Sequence, residues 1–222
     1  MRSLTLILIF SFLAGSLIGQ SDSTFREVGL NATPFVNQYL DLGSGDGESS
    51  SPYMITLEQR FKKKGARAGF GVATSNSTVH PDDDFTEPEF SSHSLALDVR
   101  CGWVLYKELS KRWSLKYGVD AIFSYDGSNN TTTSPPDLFG NRATVKLKSI
   151  TAQPGISPFL FAQFHITPHF SIGTELLARA AYFEIKHSEE NSQFPEFSDS
   201  EKTTGTTFSI QAPTALFFIF RL

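Results

Sequence analysis

Large apolar side chains recur at every second position along most of this chain, a rhythm that an extended strand converts into one continuous face. In residues 94–106, Leu95, Leu97, Val99, Cys101, Trp103 and Leu105 fall on one side, against Ala96, Asp98, Arg100 and Gly102. In 113–125, Trp113, Leu115, Tyr117, Val119, Ala121, Phe123 and Tyr125 oppose Ser114, Lys116, Gly118, Asp120 and Ser124. Residues 170–186 and 207–222 repeat the scheme, the latter with Phe208, Ile210, Leu216, Phe218, Phe220 and Leu222 on the apolar side. The fold class is all-β.

A soluble sheet alternates too, with its polar face in water. Here the apolar face runs unbroken for about ten residues per strand, the length that crosses a bilayer obliquely. Aromatics stand at its ends (Tyr53, Phe61, Trp103, Trp113, Tyr125, Phe170 and Tyr182), where interfacial belts lie. The expected fold is a closed antiparallel transmembrane β-barrel of about eight strands, since closure removes edges that hydrocarbon would leave unpaired. The strands are expected at 26–39, 53–62, 66–76, 93–106, 112–125, 143–164, 169–186 and 205–222. Short connections at 62–65, 107–111 and 165–169 alternate with long ones at 41–52, 77–92, 126–142 and 187–204. That asymmetry matches periplasmic turns and extracellular loops, with both termini periplasmic. Pro154 and Pro158 each remove a ladder donor, so a bulge or break is expected in the sixth strand. A soluble barrel of the lipocalin type is the alternative fold.

Residues 1–19 combine a basic start at Arg2, an apolar run from Leu4 to Leu13 and small residues after it, the pattern of a secretory signal peptide. Residues 20–222 then form one barrel domain. Without Arg2 the chain carries 18 basic and 23 acidic groups, a balance that argues against a nucleic-acid partner. A single cysteine, Cys101, leaves no disulfide within the chain.

The inward parity gathers Glu27, Glu58, Asp98, Asp120 and Glu175 with Arg60, Arg67, Arg100, Lys116, Arg179 and Arg221. An eight-stranded interior is just filled by side chains, and charges buried there must pair. A structural ion-pair lattice is therefore expected, with Glu175 and Arg179 as one pair; a narrow ion path is the functional alternative. Near the outer rim, His93 and His187 stand beside Ser91, Ser92, Ser188 and Glu189, residue types that a lipid-modifying enzyme would use, but no nucleophile motif surrounds them. The pair His165 and His169 spans a short turn, too small a set for a metal site. No cofactor motif is read, and a non-enzymatic chain is expected. The long loops hold fifteen acidic groups against Arg142 and Lys202. They read as solvated surface loops; the functional alternative is a basic extracellular partner, or divalent cations bridging to lipopolysaccharide phosphates.

With these features the chain resembles the eight-stranded outer-membrane β-barrel families, the group of the OmpA transmembrane domain and OmpX. The segments "FREVGLNATPFVNQYL" and "GISPFLFAQFHIT" are most similar to outer-membrane barrels common in Bacteroidetes. The resemblance implies that the last strand is also the signal read by the barrel-assembly machinery. Phe218 and Phe220 fit that signal, and Leu222 stands where its terminal aromatic is usual.

Overall fold

A computed structural model describes residues 24–33, 54–79, 88–136, 141–193, 198–212 and 215–222. The expected signal peptide lies outside them. Within them run nine strands: β1 (Thr24–Asn31), β2 (Ile55–Phe61), β3 (Lys64–Val79), β4 (Glu89–Glu108), β5 (Trp113–Thr133), β6 (Thr144–His165), β7 (Phe170–Asn191), β8 (Asp199–Gln211) and β9 (Leu216–Arg221). All pairings are antiparallel. Sequential neighbours pair from β1 to β7, β7 pairs β9, and β9 pairs β1, so hydrogen bonds run around a complete ring.

The expected single strand at 205–222 is two strands. Both lie on β7: β8 covers its upper half, with Leu177 opposite Gln211, and β9 its lower half, with Thr174 opposite Leu216. Three steps along β7 thus match five along the last segment, and two extra residues are accommodated between the strands. Two is an even slip, so in-and-out parity survives. Phe208, Ile210 and Phe220 remain exposed outside the ring, while Phe217 and Ile219 are buried within it.

The prolines produce neither a bulge nor a break. β6 is continuous through Pro154 and Pro158, and it keeps one register with β7 from Val145–Asn191 to His165–Ser171. The ladder lapses only beside each proline. At Pro158 the lapse is repaired locally: the hydroxyl of Ser157 donates at 2.9 Å to the carbonyl of Ala178, the residue facing Pro158 in that register.

Strands β3 to β7 run 16 to 22 residues, while β1, β2 and β9 have 8, 7 and 6. The longer strands therefore continue well beyond the apolar band, through residues expected to be loop (77–79, 89–92, 126–133, 187–191 and 199–204). Ser, Thr and Asn on both faces there leave no apolar alternation to read. The order of exposure within the band is inverted relative to a water-soluble protein. Leu57, Trp103, Val119 and Ile156 are half exposed on the outside, while Arg100, Lys116 and Asp120 are almost fully buried inside.

Candidate functional site

Two clusters of charge cross the interior, and strand register explains how each assembles. Arg67, Gly102 and Asp120 sit at one level on β3, β4 and β5. Gly102 presents no side chain, so Arg67 reaches over β4 and grips Asp120 with Nε at 2.9 Å and Nη2 at 2.5 Å. A Cβ at Gly102 would run into Asp120 and the Val119 carbonyl. Gly69, opposite Arg100, leaves room for the Arg100 side chain in the same way. Glu175 on β7 closes the cluster, accepting from Arg67 Nη1 at 2.5 Å and from Arg100 Nη1 at 2.8 Å. Two guanidiniums and two carboxylates form a neutral, buried quartet, with Arg67 also lying 3.0 Å over the ring of Phe159.

The second cluster lies nearer the short turns. Lys116 Nζ donates to Glu27 at 2.5 Å and Glu58 at 2.6 Å. Arg221 reaches Glu27 at 3.3 Å, and the Tyr106 hydroxyl donates to Glu58 at 3.3 Å. Arg60 caps this end, paired with Glu108 at 3.0 Å and stacked over Tyr106 and Phe25. A cavity of about 10 Å³ lies between the clusters, bordered by Lys116 and Arg67, with room for about one water.

Of the eleven charged residues expected inside, Glu27, Arg67, Arg100, Lys116, Asp120 and Glu175 are buried, whereas Glu58, Arg60, Asp98, Arg179 and Arg221 are partly exposed, and one pairing differs from expectation. Arg179 does not pair with Glu175. It donates to Ser124 Oγ at 2.5 Å and to Gln153 Oε1 at 3.3 Å, and Ser124 in turn donates to Asp98. Four residues along one strand set their backbones about 13 Å apart, and Arg67 and Arg100 occupy both oxygens of Glu175.

The interior is also less polar than its sequence parity suggested. Val104, Tyr106, Ile122, Phe159, Phe161, Leu177, Phe217 and Ile219 pack around the ions as the apolar core. A further group escaped the sequence reading. His165 lies between Ser114, 3.0 Å from Nε2, and Ser171, 2.8 Å from Nδ1, closing the interior at the short-turn end. Its signal was present in the alternation, which places Ser114 and Ser171 inward at the strand ends. At the other end, His93 Nδ1 is 2.9 Å from Asn76 Oδ1, while Ser92 contacts Asn130 across the opposite face of β4. Among the described residues no group of three His, Cys, Asp or Glu could hold a metal ion.

No protein-family model matches the chain, and no curated protein matches it. Among solved structures, a major outer membrane protein from Thermus thermophilus is similar, covering 90% of this chain and 98% of that one. The identity is 11% and the TM-score 0.32.

Proposed function

We propose that this chain is an integral outer-membrane β-barrel, non-enzymatic and non-conducting, that acts as a structural or interaction protein through its acidic outer ends. The observation that carries the reading is the inverted distribution of polarity around a closed ring: apolar side chains outside, ion pairs inside. Water would expose that outer band at a cost of about 25 cal/mol per Å² of apolar area, and a bilayer removes the cost. Ring closure leaves no edge within the hydrocarbon.

In this reading the short turns and both chain ends face the periplasm, and residues 1–19 direct export. The eight-position ring supports the likeness to the OmpA transmembrane domain and OmpX class, and the segments at 25–40 and 155–167 support the Bacteroidetes affinity. Glu89, Asp126, Glu189, Glu190, Asp199 and Glu201 line the long end, and other acidic residues (Asp41, Asp46, Glu48, Asp82, Asp83, Asp84, Glu87, Asp137 and Glu196) lie outside the described residues. Together they suit a basic extracellular partner or cation bridges to lipopolysaccharide. Phe218, Phe220 and Leu222 serve the barrel-assembly machinery.

Gel mobility tests the fold in its membrane. A closed ladder resists detergent at room temperature, so unboiled and boiled protein should migrate differently on a denaturing gel. Identical mobility, with release from membranes by salt alone, would sink the reading.

A further inference from the structure

Adjacent short turns carry a concentration of cations that the ion-pair interior does not use. Lys62, Lys63 and Lys64 form the β2–β3 turn, and Lys107, Lys111 and Arg112 flank the β4–β5 turn; all six are exposed. The turns are neighbours, since Tyr106 N donates to the Lys63 carbonyl at 2.9 Å and Lys64 pairs with Leu105. The carboxylate among them, Glu108, is engaged by Arg60. Just above on the same outer face stand Trp103 and Trp113, both about half exposed, and Leu109 is exposed at the turn itself. Cations bordering amphipathic rings and apolar side chains fit a lipid interface better than they fit a soluble acidic protein.

A second observation points the same way. Lys62 has φ 59°, in the left-handed region that glycine adopts freely and a side chain disfavours. Among the described residues it is the non-glycine position with positive φ. The tight turn would be relaxed by glycine, yet it holds a cation.

We propose that this rim binds the acidic headgroups of phospholipids in the leaflet facing the short turns, a proposal that rests on the membrane reading above. Each lysine near an anionic surface favours association roughly fivefold.

The chain's two tryptophans, Trp103 and Trp113, both lie at this rim, so intrinsic fluorescence reports on it directly. Full-length protein would be reconstituted in phosphatidylcholine bilayers containing equal fractions of brominated phosphatidylglycerol or brominated phosphatidylcholine. The expected result is stronger quenching by the acidic lipid, with roughly fivefold or greater relative association at low salt. The preference should vanish at molar salt, where screening is nearly complete. It should also vanish when Lys63, Lys64, Lys107 and Lys111 become Gln. Lys62→Gly should weaken the preference while raising resistance to unfolding, because it relieves the turn. A Lys62→Gly chain that is less stable and keeps its full preference would show a turn role alone. Equal quenching by both lipids in the parent protein would overturn the proposal while leaving the membrane reading intact, whereas no quenching by either would overturn that reading. Loss of the preference on adding soluble polyaspartate at matched charge would assign the rim to an acidic protein instead.

Discussion

Arg67 and Asp120 are 53 residues apart in sequence, yet guanidinium and carboxylate meet fork to fork across an intervening glycine strand, both side chains at most 1% exposed. Such a pair is costly to break from one side, because the remaining charge stays buried without its partner. Asp120→Ala should destabilise the folded protein by about 3–5 kcal/mol. The double variant Arg67→Leu, Asp120→Leu should cost less than the single one, since it removes both charges. Urea unfolding in lipid vesicles, followed by tryptophan fluorescence, measures both. A near-zero effect of Asp120→Ala would mean that water reaches the quartet, and would favour an ion path.

Arg179 gives a contrasting case. Its partners are Ser124 and Gln153 rather than a carboxylate directly, and it is half-buried. Arg179→Ala should therefore cost about 1.5–3 kcal/mol, the range for a hydrogen bond involving one charged group, and less than Asp120→Ala in the same assay. Equal costs for the two variants would place Arg179 inside the tightly coupled network.

What was legible in the sequence follows from period two. Parity alone places Arg67, Arg100, Lys116, Asp120 and Glu175 on the inner face, since alternation is a local property of extended backbone. Who pairs with whom is not local. Arg67 finds Asp120 because register puts both level with Gly102, and Arg179 misses Glu175 because four residues of extended strand separate them while two other strands bring arginines level with Glu175. The division of the last strand was hidden for a related reason. Its slip is even, so Phe208 to Phe220 keep one alternation through the interruption. The strand extensions were hidden because Ser77 and Thr78 on β3, or Asn129 to Thr133 on β5, are polar on both faces.

Ser157 and Pro158 make a test by rescue. Ser157→Ala removes the donor that satisfies the Ala178 carbonyl, leaving a half-buried acceptor without it at about 1–3 kcal/mol. Adding Pro158→Ala to that variant supplies a backbone N–H in the same register and should restore part of the loss. Failure of the second substitution to recover stability would show that Ser157 acts otherwise than as the proline's substitute donor.

The β7–β8 extension beyond Tyr182 carries an ion-pair group of its own, apart from the interior clusters. Glu184 accepts from Lys202 at 2.9 Å and from Lys186 at 3.1 Å. The hydrogen bond from Lys202, then that from Lys186, holds the Glu184 carboxyl below its ordinary 4.5, and Lys202 is held above 10.5 mainly by its bond to Glu184. A lowered carboxyl pKa means that its contribution to hairpin order is fully present above 4.5 and is lost as pH falls through the lower folded value. The Lys202 contribution is present below 10.5 and is lost as pH rises through its raised value. Carbon-detected NMR titration of Glu184 should show its midpoint moving upward in Lys202→Gln. An unmoved midpoint would mean that the bridge is not formed in solution.

The C-terminal strand β9 is held on both sides, and this makes its removal more than a loss of apolar area. Phe220 lies opposite Val28 on β1 and Phe170 on β7, so the strand closes the ring. The Arg221 amide donates to His169 and the Leu222 amide to Arg26, each at 2.9 Å, and the Arg221 guanidinium reaches Glu27 inside. If Phe220 and Leu222 only covered lipid-facing surface, a chain ending at Ile219 would lose about 1.5–3 kcal/mol per large side chain and still assemble. It would also leave β1 and β7 groups unpaired toward hydrocarbon, at several kcal/mol each, and uncover Glu27. The truncated chain is therefore expected to be exported, to fail to close, and to be degraded before it reaches the outer membrane. Leu222→Phe, which keeps every backbone bond and supplies a terminal aromatic, should assemble at least as well as the parent. Quantitative blotting of outer-membrane fractions decides between the two accounts: parental levels of the truncated chain would show that the last three residues are needed neither to complete the closing strand nor as an assembly signal.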